Sequence, residues 1–139
     1  MKGIVTSPTA ALVYDFLRRA GPSPFPALAA ALGLKPGRMA KALRHLRGAG
    51  YAYPVRHGGV EFWCVDGSRP APGQEALAWF AARLEEGGGR YGGGVARFPN
   101  GQEFPVKVLD GGVAVGKWAA QLEDLRVKPL RECLRRTPS

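Results

Sequence analysis

The stretch from Lys35 to Arg47 concentrates the side chains best suited to meeting a charged partner. It holds Lys35, Arg38, Lys41, Arg44 and Arg47, and no acid occurs between Lys35 and Tyr53. Ammonium and guanidinium groups suit phosphate oxygens, and a guanidinium also matches the edge of guanine with two hydrogen bonds. At about 100° per residue, Leu43 and Leu46 fall within about 40° of Met39, with Ala42 at their edge. Lys41 and Arg44 lie opposite that apolar stripe, Arg38 and His45 on one flank and Arg47 on the other. Gly37 and Gly48 share the outer face and keep it low. A helix so built fits a groove about 12 Å wide, its N-terminal residues nearest the bases.

Other chemistries are poorly supplied. His45 and His57 are the only histidines, and Cys64 and Cys133 the only cysteines. No pair has CxxC or HxxxH spacing, so neither a metal nor a cofactor is expected, and both cysteines read as small core residues. No Ser-His-Asp or Cys-His set is credible. The run Glu103-Phe-Pro-Val-Lys107 resembles the carboxylate-and-lysine strand of restriction-type nucleases. Its spacing is one residue too long, and no second acid falls between Glu86 and Glu103 to help hold Mg²⁺. An exposed charge pair is the plainer reading, and no enzyme is expected. The run Gly87 to Gly94, GGGRYGGG, lacks the frames of phosphate-binding glycine loops.

The elements that must position the basic residues are legible in the punctuation. Thr6-Ser7-Pro8 starts a helix to about Ala20, with Leu12, Val13, Phe16 and Leu17 on its apolar side. Gly21-Pro22 ends it, and Ser23-Pro24 repeats the start signal for a second helix to about Leu32. Gly33 closes that helix, and Pro36 opens the basic helix, which ends at Gly50. Tyr51 to Arg56 and Val60 to Val65 alternate as strands, joined by a three-residue loop, His57-Gly58-Gly59. Pro54 lacks a ladder donor and marks an edge or bulge. Arg56 and His57 stand at the hairpin tip.

Asp66 to Gly73 is a connector. Gln74 to Glu86 is a helix with Leu77, Phe80, Ala81 and Leu84 on one side and Trp79 on the other, which requires either a sandwich or a second chain. Gly87 to Gly94 is expected to be irregular and mobile. Val95 to Gly116 reads as three short strands turned at Asn100-Gly101 and Asp110-Gly111-Gly112. Lys117 to about Val127 is expected to be helical, with Trp118, Leu122 and Leu125 in a stripe, and Pro129 starts a last short helix. No repeat relates the halves.

The 139 residues suffice for one domain or two small ones. The net charge of +9 is uneven: residues 1–66 carry nine Lys and Arg against three acids, and 67–139 carry eleven against eight. Such a field draws phosphate-rich polymers. No run approaches the ~20 apolar residues of a membrane span. The N-terminus has no apolar core of the signal-peptide kind, so a cytoplasmic setting is expected.

In this order of elements, residues 8–65 resemble the winged helix-turn-helix domain of prokaryotic transcription regulators and of some plasmid replication and phage proteins. The resemblance implies a scaffold helix at 8–20, a positioning helix at 24–32, a recognition helix at 36–49 and a wing at 51–65. The expectation is an α+β protein in which this module (1–66) is followed by a connector (67–73). A small antiparallel sheet with C-terminal helices (74–139) completes it. The expected partner is double-stranded DNA, met through Lys35, Arg38, Lys41, Arg44, His45, Arg47, Arg56 and His57. A regulator of transcription or replication would follow, with no small-molecule ligand and with a homodimer formed through 74–139. The alternatives are a protein-interaction module whose charge is incidental, and a degenerate restriction-type nuclease.

Overall fold

A computed structural model describes residues 2–137. Ser7 caps the first helix, α1 (Pro8–Ala20), by accepting a hydrogen bond from the Ala10 amide at 3.2 Å, and Pro8 occupies its first turn. Its buried side is Ala10, Val13, Phe16, Leu17 and Ala20. Leu12 lies just beyond the Phe16 edge of that arc and is 58% exposed, not buried as its type suggests.

The second start signal resolves differently. Ser23-Pro24 forms a two-residue strand, β1 (Ser23–Pro24), paired with Trp63 and Phe62. Helix α2 (Phe25–Leu32) begins after it with no side-chain cap, because Pro24 at the cap position has no side-chain acceptor, and the Ser23 hydroxyl donates instead to the Gly21 carbonyl at 2.9 Å. Helix α3 (Pro36–Gly48) buries Met39, Ala42, Leu43 and Leu46, the stripe expected of it.

Strands β2 (Ala52–His57) and β3 (Val60–Val65) then form the hairpin. Its loop is two residues, not three, since His57 pairs with Val60. Gly58 and Gly59 have φ of 59° and 78°, the mirror-image turn whose twist matches a hairpin. The three strands run in the order β1-β3-β2, so Pro54 lies on an edge strand. Side chains alternate along them. Ala52 and Val65 join the core beneath the helices, so Pro54, Arg56, Glu61 and Trp63 share their face. Tyr53, Val55, His57, Val60, Phe62 and Cys64 take the other face. The connector covers part of it, where the Tyr53 hydroxyl donates to the Ser68 carbonyl at 2.7 Å.

Helix α4 (Gln74–Glu86) buries Ala76, Ala78, Trp79, Phe80, Ala81, Ala82 and Leu84 and is thus enclosed on most sides. It packs on α1, α2 and β1 one way and on the second sheet the other. Trp79 is 6% exposed, buried within its own chain with the Arg83 guanidinium 5.0 Å from its ring centre. The argument from Trp79 for a covering second copy is thereby removed. The Gln74 amide donates to the Ala20 and Pro22 carbonyls at 3.1 and 2.9 Å, fastening α4 to the end of α1.

The second sheet is an antiparallel run of six strands in chain order. These are β4 (Arg90–Gly92), β5 (Val95–Arg97), β6 (Glu103–Leu109), β7 (Gly112–Val115), β8 (Trp118–Gln121) and β9 (Arg135–Arg136). The first three residues of β6 pair with β5 and the last four with β7, so the sheet changes partner midway along β6. Two one-turn helices, α5 (Leu122–Leu125) and α6 (Leu130–Cys133), intervene before β9.

Two expectations fail in this half. Part of the glycine-rich run is strand β4, held from outside by Arg19 and Glu85. The Arg19 guanidinium donates to the Tyr91 carbonyl at 2.7 Å and to Glu85, and Glu85 accepts from the Tyr91 amide at 2.9 Å. Lys117 to Val127 is not one helix, because Trp118–Gln121 completes the ladder on the free edge of β7. Only Leu122–Leu125 is helical, and Trp118 stands 42% exposed. One core cluster runs from α1 through α4 to Val113, Leu125 and Cys133. Among the described residues, no helix is long and apolar enough to cross a membrane.

Candidate nucleic-acid interface

Helix α3 positions most of the expected contacts. Pro36 in its first turn and the buried Met39–Leu46 stripe fix its rotation, which leaves Lys35, Arg38, Lys41, Arg44 and Arg47 exposed. A Cβ added at Gly37 or Gly48 meets nothing within 4 Å, so both sites lie open on the outer face. The Arg38 guanidinium donates to the Thr9 hydroxyl at 3.3 Å, which ties the start of α3 to the first turn of α1. Ser7, Thr9, Arg38 and Lys41 with His45 border a groove of ≈ 240 Å³ between the two helices.

The charges of this face are uncompensated. Ion pairs among the described residues engage Lys2, Arg18, Arg19, Arg83, Arg90, Arg97, Arg126 and Lys128. None reaches a cation between Lys35 and Arg56. The carboxylates of Asp15, Asp66, Glu75 and Glu85 are all spent on partners elsewhere. Like charges without counter-charges along one helix repel, and a polyanion relieves that repulsion.

Three expected residues stand apart from this face. His45 is only partly exposed, and its Nε2 is enclosed without a hydrogen-bond partner, so it turns toward α1. Arg56 is exposed on the hairpin face that meets the helices, directly across from Glu61 in the ladder. His57 lies on the opposite hairpin face, its ring 6.4 Å from that of Phe62. Adjacent strand residues point to opposite sides, so Arg56 and His57 do not act on one surface. The contact of Thr9 with Arg38 carried no signal in the sequence, since the two are 29 residues apart.

The groups weighed for catalysis are otherwise occupied. The Glu103 carboxylate receives the Arg97 guanidinium at 2.8 Å across the β5–β6 ladder, leaving Lys107 alone on its strand face. Among the described residues, no three His, Cys, Asp or Glu cluster closely enough to share a metal ion. Both thiols are buried. Loss of water around them pushes their pKa values up and keeps them in the unreactive protonated form. No protein-family model, curated protein or solved structure matches the chain.

Proposed function

We propose that residues 8–65 form a winged helix that binds duplex DNA without catalysis, in a regulator of transcription or replication. Helix α3 enters the major groove, and the β2–β3 hairpin lies along the flanking backbone as the wing. The observation that carries this reading is the run of five exposed cations from Lys35 to Arg47, at the start and along the outer face of α3, none with a carboxylate partner among the described residues and no acid within the run. The order α1-β1-α2-α3-β2-β3, with its three strands arranged β1-β3-β2, supports the wing assignment. Arg38 and Lys41 meet base edges, while Lys35, Arg44, Arg47 and Arg56 meet phosphates. The bond from Arg38 to Thr9 holds its guanidinium in place before binding.

A salt titration tests the proposal. If Lys35, Arg44, Arg47 and Arg56 neutralise about four phosphates, log K falls against log salt with a slope of about −3.6. Arg38→Ala then relaxes sequence preference at a cost of about 1–3 kcal/mol, and Arg56→Ala weakens all sequences alike. Equal and weak affinity for duplex DNA and polyglutamate would mean that the charge is incidental and the module binds protein.

A further inference from the structure

The second sheet carries an aromatic groove far along the chain from α3. Phe98, Phe104 and Trp118 line it together with Pro99 and Leu134, and its volume is ≈ 440 Å³. The Phe98 and Phe104 rings meet edge to face, 5.9 Å apart and inclined by 73°. Gly116 has φ +60°, and a Cβ there would come 3.0 Å from Phe104 Cδ1, so the glycine leaves room for that ring. Trp118 is 42% exposed, whereas Trp79 is 6% exposed. Leaving so much indole in water forgoes burial that α4 provides for Trp79. Phe98, Pro99 and Leu134 also border an adjoining hollow of ≈ 340 Å³ that reaches Arg131, so the groove is elongated.

The surrounding charge identifies the kind of partner. Arg136 pairs with Trp118 in the β8–β9 ladder and therefore shares its face, and Arg131 borders the adjoining hollow. No carboxylate lies within ion-pair distance of Arg131 or Arg136 among the described residues. Among the described residues, Glu86 is engaged by Arg83 at 3.1 Å and Glu103 by Arg97 at 2.8 Å. Flat aromatic faces beside unneutralised cations match a polymer that alternates stackable rings with phosphates. A duplex hides its base faces within the stack, so the polymer must be single-stranded.

We propose that the groove formed by Phe98, Phe104 and Trp118 binds single-stranded nucleic acid. Bases stack on Trp118 and Phe104, and Arg131 and Arg136 hold the backbone. This site is separate from the basic face of α3 and does not depend on it. The molecule thus offers one surface to duplex DNA and a second to an unpaired strand, an arrangement suited to a junction between the two.

Binding of a short oligothymidylate to the full chain, followed by tryptophan fluorescence, tests the proposal. Stacking quenches the exposed Trp118 more than the buried Trp79. Trp118→Ala should weaken binding about tenfold to a hundredfold. Trp118→Phe should restore most of the affinity, which a merely structural change would not. Arg131→Gln and Arg136→Gln should each make the salt slope shallower by about 0.7. Arg44→Ala on α3 should leave oligothymidylate binding unchanged, even if duplex binding fails altogether. Unchanged affinity in Trp118→Ala, or equal displacement by polyglutamate or a proline-rich peptide, overturns the proposal. Circular dichroism of each variant confirms that the fold is kept, as expected for a substitution at a half-exposed side chain.

Discussion

Arg56 and His57 are neighbours in the chain, yet they serve opposite faces of one hairpin. His57→Ala should therefore leave duplex affinity within about twofold of the parent, while Arg44→Ala on the open face of α3 should cost on the order of 1 kcal/mol. Fluorescence anisotropy on one labelled duplex at fixed salt checks both, and a large loss on changing His57 would return it to the interface. The cysteines allow a second comparison. Burial raises both thiol pKa values, so the thiolate fraction near neutral pH falls below that of a free cysteine. A colorimetric thiol reagent should react slowly with the native protein and rapidly with two thiols in denaturant. Fast reaction in the native state would show that one of these sites opens.

Arg19 and Glu85 join elements that the chain keeps far apart. The Arg19 side chain is 17% exposed and that of Glu85 10%, and their pair also fastens the backbone of β4. Removing one partner leaves the other enclosed and unpaired, so Arg19→Met should cost about 3 kcal/mol in denaturant unfolding. The double variant with Glu85→Leu should recover part of that loss, since it abolishes the stranded charge. A cost below about 1 kcal/mol for Arg19→Met would mean that the glycine-rich run orders itself. Trp79 makes the matching case for α4. Trp79→Ala should cost about 3–5 kcal/mol without altering the molecular mass in sedimentation, because the ring is covered by α2 and Arg83 and not by a second chain.

The molecule has no seam at the connector. Helix α4 supplies Phe80 and Leu84 to the cluster that also holds Phe16, Leu17 and Leu28, and Gln74 satisfies carbonyls at the end of α1. A chain stopped after Asp66 would bare that surface of α1 and α2 to water. It should show helical circular dichroism but broad unfolding and poorly dispersed amide resonances, like a collapsed chain without fixed packing. Cooperative unfolding of the fragment would establish the N-terminal module as a separate domain.

Much of this was legible in the chain. Proline and glycine mark helix ends through the backbone itself, and apolar periodicity sets which side of a helix is buried, so α1, α3, α4 and the outward cations of α3 follow from local rules. The strand at Ser23-Pro24 and the ordering of GGGRYGGG were not legible. Each depends on atoms more than thirty residues away: β3 for Ser23, and Arg19 for Tyr91. Trp118 shows the same limit. Its neighbours WAAQ suit a helix as readily as a strand, and the unpaired edge of β7 settles the matter by offering backbone hydrogen bonds. That pairing sets the indole opposite Val115 at the end of the ladder, where it stays half-exposed and lines with Phe98 and Phe104 a groove that no local pattern encodes.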